Sequence, residues 1–426
     1  MVNGRSVPGN RWDLLDGVNP AEPPTVSVIV VHYQQQAELD RTLAALRRQT
    51  HPAGRTQIIV ADDGSPEPPR VPDGVLLVRQ ADEGFRAAAA RNLGASAATG
   101  DVLCFLDADT VPEPSYVQRM SRLPALAPEA VVVGRRRHAE LAGLPVDAPV
   151  EQAGPAAELP EPQWLRDGYR LSRDLLDADD RSYRYVISAA LACSRWFFER
   201  LGGFDETFRV YGGEDWEWAY RAWLGGAILA HAADAVAWHD GPDWAGRDLR
   251  DPHRRARKDA ETLLLADRIP VAGSRGHGVR SAGADVVIRL GEAPSDAAAY
   301  VCVDSVLAVL PSARVGVPEK LADLFVADQR VSSLSALDDS ARVFIEVPSA
   351  VRVDAVAKEL QEAVATVGTG TLGTVMLGEM RIDSARARAR RAIWGKELFE
   401  TRAHTEAGLV PLDADPGLAG YLGGWA

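Results

Sequence analysis

The chain has 426 residues, enough for more than one domain of ordinary size. Its hydrophobic content of 46% and charged content of 25% are those of a globular protein in water. A formal net charge of −13 argues against nucleic acid or an anionic membrane surface as main partner, but not against a nucleotide, which needs only a local cluster of donors. Cys104, Cys193 and Cys302 are far apart, odd in number and without metal spacing, so a reducing, cytoplasmic setting is expected. Met1 to Glu22 holds no apolar core and is not read as a leader. No run approaches the roughly eighteen apolar residues of a membrane span, so none is expected.

From Thr25 to Asp109 the pattern alternates strand and helix. Val26 to Val31 is a β-branched run and reads as a buried parallel strand. Leu39, Leu43 and Leu46 lie at helical spacing within Glu38 to Gln49. Gln57 to Ala61 is a second strand, ending in the turn Asp62-Asp63-Gly64-Ser65. Val75 to Val78 is a third, Phe85 to Ala98 a helix rich in Ala and Arg, and Val102 to Leu106 a fourth strand. This alternation predicts an α/β fold with a mostly parallel sheet. Ligands on such sheets sit at the carboxyl ends of the strands, where Tyr33, Asp62, Asp63, Asp107 and Asp109 all fall.

Further along, Leu141 to Glu161 reads as a loop or insertion and Trp164 to Asp180 as a helix with a polar face. Val186 to Cys193 is strand-like, and Tyr211 to Trp218 opens a helix with Glu214 and Asp215 in its first turn. Ala227 to Ala237 reads as a strand followed by Trp238-His239-Asp240, and Arg247 to Lys258 as a basic helix. These limits divide the chain into an N-terminal extension 1–24, a catalytic-type domain 25–268, a linker 269–283 rich in Pro, Gly and Ser, and a C-terminal α/β region 284–426. That last region echoes the first. Asp285 to Leu290 matches the opening strand and Ala341 to Pro348 the strand leading to Asp107. Aligned so, Glu346 replaces Asp107 and Pro348 replaces Asp109, which leaves a degenerate copy without catalysis of its own, suited to binding or self-association.

Asp107 and Asp109 follow an apolar strand at i and i+2. Two acids at that spacing can share one hard divalent cation, Mg²⁺ or Mn²⁺, and leave positions open for an anionic ligand such as a diphosphate. Alone the pair is weak, because turns after strands often carry Asp. Its neighbours give it weight. Val28 to Gln34, Ile58 to Ser65, Ala90-Arg91-Asn92-Leu93-Gly94, Phe105 to Asp109 and Gly202 to Leu224 come in the order of a family 2-type glycosyltransferase. Residues 1 to about 265 resemble that family, and the stretch around Glu214-Asp215 is similar to the acceptor-side motif of β-1,4-galactosyltransferases and polypeptide sugar transferases.

The resemblance implies a GT-A fold and an inverting, metal-dependent transfer from a nucleotide-activated sugar, in first place a UDP-sugar, to a hydroxyl of a soluble small molecule, peptide or oligosaccharide. It implies Asp109, with Asp107 and His239, as metal ligands, Asp107 also serving the ribose. Asp215 becomes the general base and Glu214 the holder of donor or acceptor hydroxyls. Asp62 and Asp63 would read the base, Tyr33 stack on it, and Arg91 and Arg86 reach the nucleotide. Of Trp216 and Trp218, at most one lines the site, since i and i+2 point apart on a helix. The basic run Arg254 to Lys258 reads as a solvated helix face or a loop over the diphosphate. A sugar nucleotidyltransferase would want an early Gly-rich phosphate loop with a basic residue, and Val30 to Ala37 has neither. A non-catalytic carbohydrate- or nucleotide-binding scaffold would not need Asp107, Asp109, Asp215 and His239 together.

Overall fold

The computed structural model describes residues 3–209, 212–242, 252–276, 278–279, 283–338, 340–404 and 408–424. The chain divides into two compact units. The first comprises Met1–Trp223 and Ala227–Leu265, the second Leu224–Gly226 and Ala266–Ala426. Among the described residues no helix is long and apolar enough to cross a membrane.

In the first unit the β-branched run forms β1 (Val26–His32), which pairs in parallel with β2 (Thr56–Asp62). The chain then forms β3 (Val75–Arg79) beside β2 and β4 (Val102–Asp107), which pairs in parallel with β1 on its other side. Val28 and Val30 face one layer of the core with Leu39 and Leu43 of α1 (Gln36–Leu46). Burying each such side chain contributes about 1.5–3 kcal/mol. Beyond β4 the polarity reverses. β5 (Thr110–Pro112), β6 (Ala130–Ala139), β7 (Glu158–Leu159), β8 (Ala190–Ser194) and β9 (Ile228–Asp240) complete a sheet of order β3-β2-β1-β4-β8-β6-β9-β5, with β7 on β6. The mixed half begins where β8 runs antiparallel to β4.

The other face of β1 carries Ile29, and there α2 (Ala87–Ser96) lies close to the sheet through Gly94. A Cβ at Gly94 would stand 2.4 Å from the Ile29 Cγ2 and 3.3 Å from the Ala61 Cβ. Gly94→Ala is therefore expected to cost about 1–3 kcal/mol through overpacking. It should lower the denaturant midpoint with an unchanged slope, and an unaltered midpoint would refute the close approach.

The remaining helices of this unit are α3 (Tyr116–Leu126), α4 (Val150–Ala156), α5 (Gln163–Leu171), α6 (Arg195–Arg200) and α7 (Glu214–Leu224), and α8 (Pro252–Arg268) begins in it. Several boundaries differ from the sequence pattern. The segment read as a loop, 141–161, holds α4 and β7. The helix read over 164–180 stops at Leu171, because Arg173, Asp174 and Leu175 adopt left-handed φ of 52°, 57° and 67°. This costly turn is held by tertiary contacts: Leu175 is fully buried, and Asp174 accepts a 2.7 Å hydrogen bond from His231 Nδ1. The last strand extends three residues past Ala237 and takes in His239, which pairs with Thr110 of β5.

The second unit holds β10 (Val286–Glu292), α9 (Asp296–Val309), β11 (Arg314–Val317), β12 (Val331–Ser333), β13 (Val343–Ser349), β14 (Val351–Arg352), α10 (Ala357–Thr366), β15 (Leu372–Leu377), β16 (Met380–Ser384), α11 (Ala385–Trp394) and β17 (Glu400–His404). Its sheet order, β12-β11-β10-β13-β16-β15-β17, repeats β3-β2-β1-β4-β8-β6-β9 of the first unit position for position. The pairings match in direction as well. Among the described residues no helix stands between β12 and β13 where α2 stands in the first unit. Register fixes the correspondence. Val102 pairs with Ser194, which caps α6, and Val343 pairs with Ser384, which caps α11 in the same way. On that anchor Asp107 corresponds to Pro348 and Asp109 to Ala350, two residues from the alignment by pattern. A slip of two leaves the in–out alternation of a strand unchanged, so hydrophobic pattern cannot detect it. The acid pair is absent on either alignment.

Candidate active site

The ends of β1, β2 and β4 meet the start of α7 and the end of β9 around a cleft of about 670 Å³, a volume typical of small-ligand sites. Tyr33, Asp63, Arg91, Asp107, Asp109, Glu214, Asp215 and His239 all line it. Asp62 and Arg86, grouped with them by sequence, do not. A larger cleft of about 890 Å³ in the same unit, lined by Trp12, His51 and Arg122 among others, contains none of the motif acids.

Asp109 and His239 face each other across the β5–β9 ladder, with Nε2 3.6 Å from Asp109 Oδ2. The His239 Nδ1 lies 3.2 Å from the Gly241 carbonyl. With Nδ1–H donating there, Nε2 presents a lone pair toward the carboxylate. Two electron-pair donors with no proton between them suit a shared cation, and a second ring nitrogen tied to a carbonyl is the usual support of a metal-binding His. Burial pushes the Asp109 carboxyl up, with neighbouring Asp107 adding to it, so a cation arriving there gains a carboxylate that the protein alone leaves poorly satisfied. Gln35 orients it, donating from Nε2 at 3.2 Å. The described residues contain no ready-made group of three or more metal-type side chains. Asp107 is turned instead toward Arg91, whose Nη2 is 2.9 Å from its Oδ1. The residues thus fit a cation held by Asp109 and His239 that takes further oxygens from a bound ligand.

Arg91 was read as a nucleotide contact. Its buried guanidinium gives one arm to Asp107 and the other to Glu214 Oε1, also at 2.9 Å. Burial alone would lower its pKa, but Asp107 and Glu214 outweigh that and keep it charged. The other Glu214 oxygen, Oε2, is buried with no hydrogen-bond partner among the described residues. That vacancy suits a ligand hydroxyl.

Asp215 enters the cleft from the first turn of α7, just after a glycine turn. Gly212 and Gly213 have φ of 93° and 95°, which only glycine adopts freely. A Cβ on Gly213 would also stand 3.0 Å from the Phe208 ring. The Asp215 carboxylate accepts from the backbone N–H of Trp216 at 2.8 Å and of Ser188 at 3.3 Å. Burial, with neighbouring Glu214 adding to it, pushes this carboxyl up to about 7. A carboxylate whose pKa lies near neutrality is matched to general-base work.

The Asp-Asp turn divides its labour. Asp62 is fully buried and accepts from His32 Nδ1 at 2.8 Å, Arg79 Nε at 2.9 Å and Ser65 Oγ at 2.6 Å. Burial works against its charge, yet those hydrogen bonds hold its carboxyl below the usual range. Asp62 is therefore a brace for the turn rather than a wall of the cleft. Asp63 is the one that lines it, held by the Arg86 N–H at 2.8 Å and raised by burial. The Arg86 side chain points to Glu83 and Glu206 instead. Tyr33, 41% exposed, and Phe85, 37% exposed, stand at the same end of the cleft.

Sequence reasoning missed Gln35, Phe85 and Arg136. Arg136 lies in Arg135-Arg136-Arg137 on β6, where Arg135 and Arg137 pair with Glu161 and Glu158. Strand alternation sends the middle arginine the other way, into the cleft. Trp218 is core, packed on Phe198 and Phe204, while Trp216 lies beside Trp164 and outside the cleft. His231 stacks on Tyr169 and does not line the cleft. Tyr211 and the start of the basic stretch, 247–251, lie outside the described residues. Lys258 pairs with Glu261 on the helical face.

Comparison with known proteins covers most of these residues, with His239 beyond both family-model ranges. The model of glycosyl transferase family 2 matches residues 27–148, and that described as the N-terminal domain of galactosyltransferase matches residues 176–231. Validoxylamine A glucosyltransferase of Streptomyces hygroscopicus subsp. limoneus is 35% identical over 264 residues, covering 57% of this chain and 55% of that protein. The chain thus spans little more than half the length of that relative. A structure of GalNAc-T7 with UDP, GalNAc and Mn²⁺ overlaps with a TM-score of 0.39 at 19% identity, covering 52% of this chain and 45% of that one. One of a mannosyltransferase from Pyrobaculum calidifontis with GDP-Man and Mn²⁺ gives 0.40 at 18%, covering 62% and 67%. The two family models fall, in order, on the stretches that carry the motifs, and the first unit holds a family 2-type glycosyltransferase domain.

Proposed function

We propose that the first unit catalyses an inverting, divalent-metal-dependent transfer of a sugar from a nucleotide diphosphate, in first place UDP, to a hydroxyl of a soluble acceptor. The observation that carries this reading is a single cleft with Asp109 and His239 on one wall and Asp215 on another. Asp215 takes the proton of the acceptor hydroxyl. The acceptor oxygen bonds to the anomeric carbon from the face opposite the leaving group. The bond from that carbon to the diphosphate oxygen breaks, and its electron pair leaves with the diphosphate. A cation held by Asp109 and His239 supplies Lewis acidity toward the charge gathering there. Tyr33 and Phe85 flank the base, Asp63 accepts from its ring N–H, and Glu214 Oε2 takes a sugar hydroxyl. The second unit, which repeats the strand order without the acids, serves acceptor binding or self-association. A chain ending at Asp267 with unchanged oligomeric state and unchanged transfer would remove both of its roles.

A nucleotide panel tests the donor. Thermal melts with UDP, GDP, dTDP and CDP, with and without Mn²⁺, are expected to show a metal-dependent rise for UDP. A ligand at 100 times its Kd adds about 2.7 kcal/mol to the folded state. A rise for another diphosphate alone would replace UDP, and no rise with any would overturn the transferase reading.

A further inference from the structure

The sheet of the second unit ends in β17, whose residues are all exposed. Among the described residues β17 pairs with β15 and with no other strand. The Glu400 N–H donates to the Thr371 carbonyl at 2.7 Å, and the His404 carbonyl accepts from the Gly378 N–H at 3.1 Å. Backbone groups alternate in direction along a strand, so Glu400, Arg402 and His404 turn theirs toward β15. Thr401 and Ala403 turn theirs outward, where nothing among the described residues takes them up.

The first unit has the same edge, closed. The correspondence anchored on Ser194 and Ser384 matches Val131 to Thr374, and so their ladder partners Leu229 to Thr401 and, two residues on, His231 to Ala403. A second ladder agrees. His239, paired with Thr110, matches Pro411, paired with Val351, and each lies the same number of residues beyond Leu229 or Thr401. The Asn10 side chain closes Leu229: Nδ2 donates to its carbonyl at 2.8 Å and Oδ1 accepts from its N–H at 2.9 Å. The His231 N–H donates to the Asp174 carbonyl at 3.0 Å. Thr401 and Ala403 have no counterpart of either cap among the described residues. A bare edge of this kind is a template for pairing with another chain.

Resting on the self-association reading of the second unit, we infer that β17 pairs with β17 of a second copy of this chain, antiparallel and in a register centred on Thr401. Antiparallel pairing about a two-fold axis lets both copies use the same edge and exchange the same bonds. The charges select the register. Acid and base alternate at Glu400 and Arg402; Glu400 is steadied by a 2.8 Å hydrogen bond from Thr371 Oγ1, and Arg402 has no acidic partner among the described residues. An axis at Glu400 would set acid against acid, one at Arg402 arginine against arginine, and one at Ala403 would set Arg402 against the partner's His404. An axis at Thr401 sets Glu400 against the partner's Arg402 twice, in the non-hydrogen-bonded positions where side chains lie closest. Thr401 then exchanges its N–H and C=O bonds with the partner's Thr401.

Sedimentation equilibrium of the full chain tests this, over about a hundredfold range of concentration spanning the micromolar. One strand from each copy makes a small interface, so a reversible, concentration-dependent dimer is expected. Thr401→Pro removes an outward N–H and leaves the bonds to β15 in place, and it is expected to weaken the dimer about tenfold or more. Glu400→Arg alone and Arg402→Glu alone each set like charges together and are expected to weaken it similarly. The double variant Glu400→Arg/Arg402→Glu restores opposite pairs and is expected to recover dimerisation to within about threefold of the parent. An equimolar mixture of the two single variants is expected to form the heterodimer, a recovery that misfolded variants would not show. A chain monomeric throughout the range would overturn the proposal and the self-association role together. A dimer indifferent to Thr401→Pro and to both single charge reversals would overturn the edge alone and leave self-association to another surface. Single variants that lose the dimer with no recovery in the double variant or the mixture would overturn the register, and the proposal with it.

Discussion

Replacing Asp215 by Asn is expected to lower transfer by about 10²–10⁴-fold, the usual contribution of a general base. Metal-dependent nucleotide binding should survive, because Asp109 and His239 lie on a different wall of the cleft. The same substitution should stabilise the fold at neutral pH. Burial and Glu214 raise this carboxyl from 3.8 to about 7, so between those values the folded state holds a proton that the unfolded state releases. Stability through this group is therefore full at low pH and is lost as pH rises toward 7. Asp215→Asn should melt higher than the parent at pH 8 and at the same temperature near pH 4. In the parent, log kcat/KM should climb with unit slope to about pH 7 and then level. A variant both inactive and less stable at pH 8 would mean that Asp215 braces the turn instead of acting as base.

Replacing Asp109 by Asn should abolish the metal-dependent part of nucleotide binding. Removing a group that merely supports a ligand costs about 10–100-fold in metal affinity, and losing the ligand itself should cost at least as much. Titration with UDP in Mn²⁺ and in chelator would measure it: the two curves, well separated for the parent, should coincide for the variant. Curves that stay apart would move the cation to other residues. Asn keeps the size of Asp and can still meet Gln35, so folding should be unaffected.

What was legible in the chain was legible for specific reasons. Val26 to Val31 had to be a buried strand, and acids after such strands had to fall at one edge of the sheet, so Asp63, Asp107 and Asp109 could be grouped without coordinates. Asp62 could not be told from Asp63. Adjacent residues leave a strand toward opposite faces, and the tetrapeptide does not say which is inward. Arg136 was hidden by its own neighbours, since three arginines in a row look like a solvated face until Glu158 and Glu161 claim the outer two. The turn at Arg173 to Leu175 was invisible for another reason: a left-handed run normally announces itself with glycine, and this one is imposed by Leu175 burial and the Asp174–His231 pair. The two-residue slip in the second unit required hydrogen-bonded register to resolve.

Arg91 has a further consequence. One guanidinium balances the negative charge of both Asp107, at the end of β4, and Glu214, at the start of α7. A ligand that draws Asp107 toward itself leaves that positive charge to Glu214 alone and strengthens its hold there. A ligand that engages Glu214 does the reverse. The two halves of the cleft share a common electrical terminal, so a ligand that engages one carboxylate is expected to change the affinity for a ligand on the other, and by the same factor in either direction.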